Sequence, residues 1–118
     1  MRDQGFPEYF LRVLIDLRFT GDIRTVPEGT PLAANTPILR VTAPLIQAQL
    51  AETALLNLVT FQTLIATKAN RIVRAAAGAP VMEFGLRRAQ GPEARLKGAR
   101  AAFIGGCLGT SNIDAGRR

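Results

Sequence analysis

The residues from Pro44 to Ala77 restrict the fold most strongly, because apolar side chains recur there with a helical period. Gly78 supplies a natural C-terminal stop, and Pro80 follows just beyond it. The predicted helix is long for a globular protein, and we expect a break at Val59 and Thr60, which are both β-branched. The recurring apolar residues are Leu45, Ala48, Ala51, Leu55, Leu58, Phe61, Ile65, Ala69, Ile72 and Val73.

The segment before this helix has the features of a small α+β unit. Pro7 fits the first turn of a short helix that extends to about Leu17. The next residues are rich in turn formers, and short β-compatible stretches lie among them at residues 23–26, 31–34 and 38–41. We interpret these stretches as a small antiparallel arrangement whose prolines occupy strand starts, turns or edges.

The segment after the helix predicts the order β-α-β-α. Strands over residues 81–84 and 107–110 flank a helix over residues 92–104, and a further helix is expected to begin at Ile113. A parallel pair with one crossover leaves open edges and an uncovered face, whereas parallel sheets are normally buried on both sides. We therefore expect further sequence to complete this fold.

Together these patterns predict the α/β class and a chain of three parts. Residues 1–43 form part of a small N-terminal α+β domain, and residues 44–79 form the long helical segment with its break. Residues 80–118 form a first β-α-β-α portion of a larger fold.

The charge of the chain is strongly positive. Its 118 residues carry a formal net charge of +6, and the pI is about 11.0. Such a bias favours an anionic partner, which could be nucleic acid, phosphate or a phosphorylated small molecule. A solvated helix face is the simpler interpretation for most of the basic residues. Those that cluster between residues 68 and 100 are Lys68, Arg71, Arg74, Arg87, Arg88, Arg95, Lys97 and Arg100.

Several residue types limit the chemistry of this chain. It contains no histidine, which excludes an imidazole acid, base or metal ligand from the chain itself. Cys107 is the single cysteine, so an intrachain disulfide is impossible. We expect Cys107 to be a small, buried hydrophobic residue. Asp16, Asp22 and Asp114 are scattered without the spacing of a metal site, so we expect no metal bound by this chain.

The sequence also lacks the usual signs of membrane targeting. No apolar run approaches the roughly 20 residues that cross a bilayer. The first residues lack the basic start and apolar core of a signal peptide. We therefore expect a soluble, cytoplasmic protein without a membrane partner.

A first candidate site follows the predicted strand over residues 81–84. Phe84 ends that strand, and Arg87 and Arg88 lie in the loop after it, where α/β folds commonly bind ligands. An aromatic ring can stack on a flat heterocycle, and guanidinium groups grip carboxylate or phosphate in a fork geometry. The alternatives are an ordinary core ring and a surface ion pair with Glu83 or Glu93, and the residues alone do not decide between them.

A second candidate site follows the predicted strand over residues 107–110. Gly109, Thr110 and Ser111 offer close backbone approach, hydroxyl groups and amide hydrogens near a helix start, which suit an anion. The alternative is a strand followed by a helix cap, supplied by Ser111 or Asn112, without any ligand. The loop is neither a Walker A sequence nor a dinucleotide-binding fingerprint.

The order of several short blocks resembles the nicotinate phosphoribosyltransferases across nearly the whole chain. The combination of blocks is specific, although any one of them alone would not be. The blocks are residues 18–22, 26–30, 39–43, 52–57, 66–69, 83–91 and 109–112.

The resemblance implies a reaction in which nicotinate attacks C1 of phosphoribosyl pyrophosphate and gives nicotinate mononucleotide and pyrophosphate. It implies Mg²⁺ with the pyrophosphate, and ATP hydrolysis coupled through a phosphorylated histidine. The implied fold is an irregular, type II phosphoribosyltransferase-like α/β barrel beside a small domain, in a homodimer with shared active sites. On this basis the chain is identified as an internal fragment that lacks the N-terminal motif and the C-terminal half of the family. We expect it to hold no catalytic residue, to bind neither Mg²⁺ nor ATP by itself, and to be inactive alone.

The resemblance also implies roles for individual residues. Phe84 matches the position that stacks on the pyridine ring, and Arg87 matches an arginine near the ring substituent and phosphates. Arg88 belongs to the pattern of the nicotinate enzymes. Ser111 stands where the related nicotinamide enzymes have aspartate, and a neutral hydroxyl avoids repelling the carboxylate of nicotinate. Ser111 therefore favours nicotinate over nicotinamide.

Two other hypotheses remain beside the transferase. A small basic nucleic-acid-binding module would explain the charge, although aromatic residues make up only 6% and no recognised motif is present. A non-catalytic truncated relative of the family would explain the missing blocks.

Overall fold

The computed structural model describes residues 5–117. Contacts divide the chain into two compact units, Met1–Ala54 and Leu55–Arg118. The described helices are α1 (Glu8–Asp16), α2 (Leu45–Ala75) and α3 (Pro92–Ile104), and the strands are β1 (Asp22–Thr25), β2 (Leu39–Thr42), β3 (Met82–Glu83) and β4 (Gly109–Thr110). Two short 3-10 turns cover Gly85–Arg88 and Ala115–Arg117.

The first unit contains α1 and an antiparallel pair formed by β1 and β2. The predicted helix and two of the three predicted strands are present, with small shifts at their ends. The prediction of a strand over residues 31–34 is wrong, because the chain turns there: the Thr36 amide donates to the Ala33 carbonyl, and Asn35 has a φ of 65°. A left-handed residue and nearby prolines do not support a strand ladder.

Helix α2 is continuous, so the predicted break at Val59 and Thr60 is wrong. Adjacent β-branched residues reduce helix propensity by only a few tenths of a kcal/mol each, and neither removes a backbone donor as proline would. The predicted stop is confirmed, because the backbone enters the left-handed region at Ala77 (φ 49°) and Gly78 (φ 96°).

The expectation that no apolar stretch approaches the length of a membrane span is not met by α2. An 18-residue window has a mean hydropathy of 1.3, none of it buried, and by length and composition alone the helix could cross a membrane. Exposed apolar side chains, including those of Leu56, Leu64 and Ile72, lie outside its buried face. The core helix of a larger soluble protein meets the same criterion. A helix with apolar residues on several faces requires cover on more than one side.

The second unit is organised by a β-α-β crossover. Strands β3 and β4 pair in parallel, with Met82 opposite Gly109 and Glu83 opposite Thr110, and α3 connects them as predicted. A small core forms where the end of α3 and the residues before β4 meet α2. It contains Ala69, Ala102 and Cys107, with Ile65, Val73 and Val81 packed against them.

Gly105 lets the backbone at the end of α3 lie directly against the backbone of α2. A Cβ atom at that position would lie 2.5 Å from the Ala66 carbonyl oxygen and 2.8 Å from Ala69 Cβ. The Gly105 carbonyl also accepts a hydrogen bond of 3.3 Å from the Asn70 side-chain amide. Because backbone atoms of α2 cannot move aside as a flexible side chain would, only glycine fits at this contact.

We predict that Gly105→Ala lowers the free energy of unfolding by about 2 kcal/mol or more, as overpacking of a dense core does. Gly116→Ala is the matched control, because no heavy atom lies within 4 Å of its added Cβ. The midpoint of urea denaturation, followed by circular dichroism, measures the difference. Equal midpoints for the two variants would contradict the close contact at Gly105.

Candidate functional site

The two candidate segments lie side by side because β3 and β4 end at the same edge of their parallel pair. The Ser111 amide donates to the Glu83 carbonyl at 2.9 Å, which carries the pairing one residue past β4. Phe84 follows Glu83 directly, and Ser111 follows Thr110 directly. The structure therefore brings together two loops that are separated by more than twenty residues in sequence.

Phe84 is not a core residue, since 68% of its surface is exposed. It precedes the 3-10 turn of Gly85–Arg88, which forms the loop after β3. An exposed aromatic ring at the end of a strand can stack on the face of a flat ligand. Among the residues that the structure describes, Phe84 is not part of the core.

Arg87 and Arg88 are exposed in the 3-10 turn. Within residues 5–117, neither side chain forms a hydrogen bond or an ion pair. Of the two acids considered as their partners, Glu93 pairs with Lys97 at 2.9 Å, and Glu83 is bound to Gly85 and Thr110. Both guanidinium groups therefore keep their donors available to an anion from solution.

Glu83 connects the two loops, a role that the sequence did not indicate. One carboxylate oxygen, Oε1, accepts the backbone N–H of Gly85. The other, Oε2, accepts the hydroxyl hydrogen of Thr110 at 2.5 Å. The available signal was an acidic residue near the end of a predicted strand, for which the sequence suggested only an ion pair with Arg87 or Arg88.

In the second loop, Gly109 and Thr110 contact the rest of the protein, whereas Ser111 is exposed to solvent. The Thr110 hydroxyl donates to Glu83 and accepts from the Asn112 amide at 3.0 Å, so its single donor hydrogen is already used within the protein. Gly109 lies beneath the Met82 side chain, whose Cε would be 2.8 Å from an added Cβ. Ser111 is exposed and carries the one hydroxyl of this loop that faces solvent.

Asn112 anchors the second loop to α3. It is 2% exposed, and its Oδ1 accepts from the Arg95 guanidinium at 3.2 Å and from the Ala115 amide at 3.4 Å. Its Nδ2 donates to the Arg95 carbonyl, and Arg95 also pairs with Asp114 at 3.2 Å. Asn112 is thus one of the two predicted caps, although it precedes a 3-10 turn and not the predicted helix. Arg95 is half-buried and holds this loop, so it does not belong to a solvated basic face.

The candidate site is an open edge rather than an enclosed pocket. Two shallow depressions lie elsewhere, one on α2 around Phe61 and Leu64 and one along β1 and β2, and neither includes Phe84. Within the part of the chain that the structure describes, no group of three His, Cys, Asp or Glu side chains could hold a metal ion. The arrangement can present a ring, two free cations and a hydroxyl to a flat anionic ligand.

Comparison with known proteins gives a consistent result. A family model described as the nicotinate phosphoribosyltransferase (NAPRTase) N-terminal domain matches residues 1–60. The chain is 52% identical over 114 residues to a nicotinate phosphoribosyltransferase of Bacillus subtilis, a match that covers 97% of this chain and 23% of that protein. A nicotinate phosphoribosyltransferase of Mycobacterium tuberculosis is 48% identical over 113 residues, with 96% and 24% covered.

A solved structure gives the same relationship in three dimensions. The crystal structure of human nicotinic acid phosphoribosyltransferase superimposes with a TM-score of 0.83 at 38% sequence identity, over 97% of this chain and 23% of that chain. The match to a protein of mixed helices and strands supports the α/β class. The chain spans about a quarter of the length of the relatives it matches.

Cys107 lies behind the site, in the core next to α2. It is 6% exposed, and burial raises the pKa of its thiol above the ordinary value of 9.0, with the negative charge of Glu83 acting in the same direction. Because the folded state disfavours the thiolate, the stabilising contribution of this residue is complete below pH 9.0 and is lost as the pH rises through the raised pKa.

We predict that the rate of Cys107 alkylation by iodoacetamide, followed by peptide mass spectrometry, titrates with a midpoint above pH 9.0 in the folded chain. The same peptide in the urea-unfolded chain is the control and should titrate near 9.0. Burial should also slow the folded-state reaction by about tenfold or more at neutral pH. A folded-state midpoint at or below that of the unfolded chain would contradict the buried environment.

Proposed function

This chain belongs to the nicotinate phosphoribosyltransferase family, and we propose that the product of its complete reading frame joins nicotinate to phosphoribosyl pyrophosphate. The products of that reaction are nicotinate mononucleotide and pyrophosphate, and its place is in the biosynthesis and salvage of pyridine nucleotides. The names of the relatives support this assignment. Because the chain covers about a quarter of those relatives, we assign to it a part of the base-binding wall and none of the catalytic groups.

The observation that carries the proposal is the shared edge of β3 and β4, where Phe84 and Ser111 follow paired residues. An exposed ring beside a neutral hydroxyl and two unpaired guanidinium groups suits nicotinate, which is a flat heterocycle bearing a carboxylate. We propose that Phe84 stacks on the pyridine ring. We propose that Arg87 binds the carboxylate or the phosphates, and that Arg88 adds positive charge to the same face.

The second loop contributes selectivity in this proposal. We propose that the backbone of Gly109 and Thr110 forms this side of the base site and that the exposed Ser111 presents its hydroxyl to the ligand. A carboxylate at position 111 would repel the carboxylate of nicotinate, whereas a hydroxyl does not. The proposal therefore names nicotinate, rather than nicotinamide, as the base.

The groups that drive the reaction belong to the rest of the protein in this proposal. The sequence has no histidine to be phosphorylated, and the described residues contain no group of three His, Cys, Asp or Glu side chains that could hold a metal ion. ATP coupling and Mg²⁺ are proposed for the whole enzyme on the basis of the resemblance. We propose on the same basis that residues 80–118 begin an irregular α/β barrel and that the enzyme is a cytoplasmic homodimer without nucleic-acid or membrane partners.

The structure gives less support to a nucleic-acid-binding module. Two members of the basic cluster are engaged within the chain, Arg95 with Asp114 and Lys97 with Glu93. A surface that binds nucleic acid needs free cations along one face. Arg87 and Arg88 are the free cations of the candidate site, and two such residues beside an exposed ring suit a small anion better.

We predict that Ser111→Asp lowers kcat/KM for nicotinate at least about tenfold in the product of the complete reading frame, mainly through KM, because it places two like charges together. Ser111→Asn is the matched control, since it has the size of aspartate without the charge and should retain much more activity. Steady-state formation of nicotinate mononucleotide measures both. Equal losses of kcat/KM in the two variants would show that the charge at position 111 does not determine selectivity for nicotinate.

The proposed function itself is tested by the wild-type protein. Sequencing past the codon for Arg118 defines the complete reading frame, and its product should convert nicotinate with phosphoribosyl pyrophosphate. A folded product without this activity would overturn the proposal. A stop codon directly after Arg118 would instead favour the non-catalytic truncated relative.

A further inference from the structure

The carboxylate of Glu83 holds one loop with each of its oxygens. Oε1 accepts the N–H of Gly85, which follows Phe84, and Oε2 accepts the hydroxyl of Thr110, which precedes Ser111. The side chain therefore joins the two residues next to the proposed ligand contacts. The backbone pairing of Glu83 with Thr110 brings the loops near each other, and the carboxylate adds a second connection above that pairing.

The Thr110 end of this connection is fixed to α3. The Thr110 hydroxyl accepts a hydrogen bond from the Asn112 amide at 3.0 Å. The buried side chain of Asn112 forms two hydrogen bonds with Arg95 and one with Ala115. Among the described residues, no buried side-chain nitrogen or oxygen lacks a partner. A fully satisfied network of this kind holds a single geometry.

The chemistry of the network requires a carboxylate of this length. Glu83 receives two donors on two different oxygens, which an ionised carboxylate can accept together. A glutamine has one acceptor oxygen, so it would leave the donor hydrogen of either Gly85 or Thr110 without its acceptor, and it would remove the negative charge from the bond that remains. An aspartate is one methylene shorter and cannot keep both contacts from the same backbone position.

The same hydrogen bonds argue against a direct role of Glu83 in ligand binding or proton transfer. Both of its oxygens are used internally, and the side chain is half-buried. A carboxylate whose two oxygens accept internal hydrogen bonds is directed into the protein and not toward an anionic ligand. Glu83 therefore acts through the residues it orients.

We propose that Glu83 is a positioning residue that holds the loop of Phe84–Arg88 and the loop of Thr110–Ser111 at a fixed separation for the base. This inference rests on the proposed function, because it assigns the two loops to one nicotinate site. The hydroxyl of Thr110 serves the same purpose, as the link between Glu83 and the network on α3.

The test uses the product of the complete reading frame with the variants Glu83→Gln, Thr110→Val and Thr110→Ser. Glu83→Gln and Thr110→Val should each raise KM for nicotinate about tenfold, since each removes a charge-assisted hydrogen bond. KM for phosphoribosyl pyrophosphate should change much less. The double variant should be little worse than either single variant, because both break the same bond. Thr110→Ser retains the hydroxyl and should recover most of the affinity for nicotinate.

Glu93→Gln is the matched control, since it makes the same chemical change at the surface pair with Lys97. A merely structural role for Glu83 would lower the amount of folded enzyme and hence the apparent kcat, with no selective change in KM for nicotinate. That result, or an unchanged KM for nicotinate in Glu83→Gln and Thr110→Val, would overturn the proposal.

A second measurement does not depend on turnover. Hydrogen–deuterium exchange over residues 84–88 and 109–112 should be faster in Glu83→Gln than in the wild type, with exchange in α2 unchanged. If the wild type does not use nicotinate, the proposed function fails, while this exchange pattern still decides whether Glu83 holds the two loops. Unchanged exchange in both loops would overturn the positioning role.

Discussion

The contact between Gly105 and the backbone of α2 determines how the second unit is assembled. Gly105 directly follows α3, and a Cβ atom at this position would lie 2.5 Å from the Ala66 carbonyl oxygen, so the backbone at the end of α3 packs directly against the backbone of α2. That approach buries Ala102 and Cys107 against Ala69. Because Cys107 lies only two residues before β4, the same contact fixes where β4 begins and how it can reach β3.

The candidate site is a consequence of that pairing. Once β3 and β4 lie parallel and in register, Phe84 and Ser111 emerge from the same edge, and Glu83 can bridge the loops that carry them. The short strands would hold such an edge weakly by themselves, since each contributes two residues to the pair. Side-chain hydrogen bonds to Asn112 and Arg95 add the rigidity that the backbone pairing lacks.

Helix α2 carries more apolar surface than the described residues cover. Its apolar side chains occupy more faces than the small core of the second unit can cover, and Leu56, Leu64 and Ile72 remain exposed. A chain that spans about a quarter of its relatives lacks most of the surface against which such a helix would pack. By length and composition this stretch could cross a membrane, but the core helix of a larger α/β protein has the same properties.

Local sequence determined the elements whose signals agree with one another. The helical period of residues 45–75, the proline start and glycine stop of α3 and the β-α-β order were all predicted, because propensity, capping and periodicity point the same way. The sequence also placed Phe84 and Ser111 at strand ends, and the block order identified the family. Tertiary structure alone decided which side chains meet: Glu83 with Thr110, and Arg95 with Asn112. Those contacts join residues 27 and 17 positions apart, and no local pattern specifies a hydrogen bond that forms only after two strands pair.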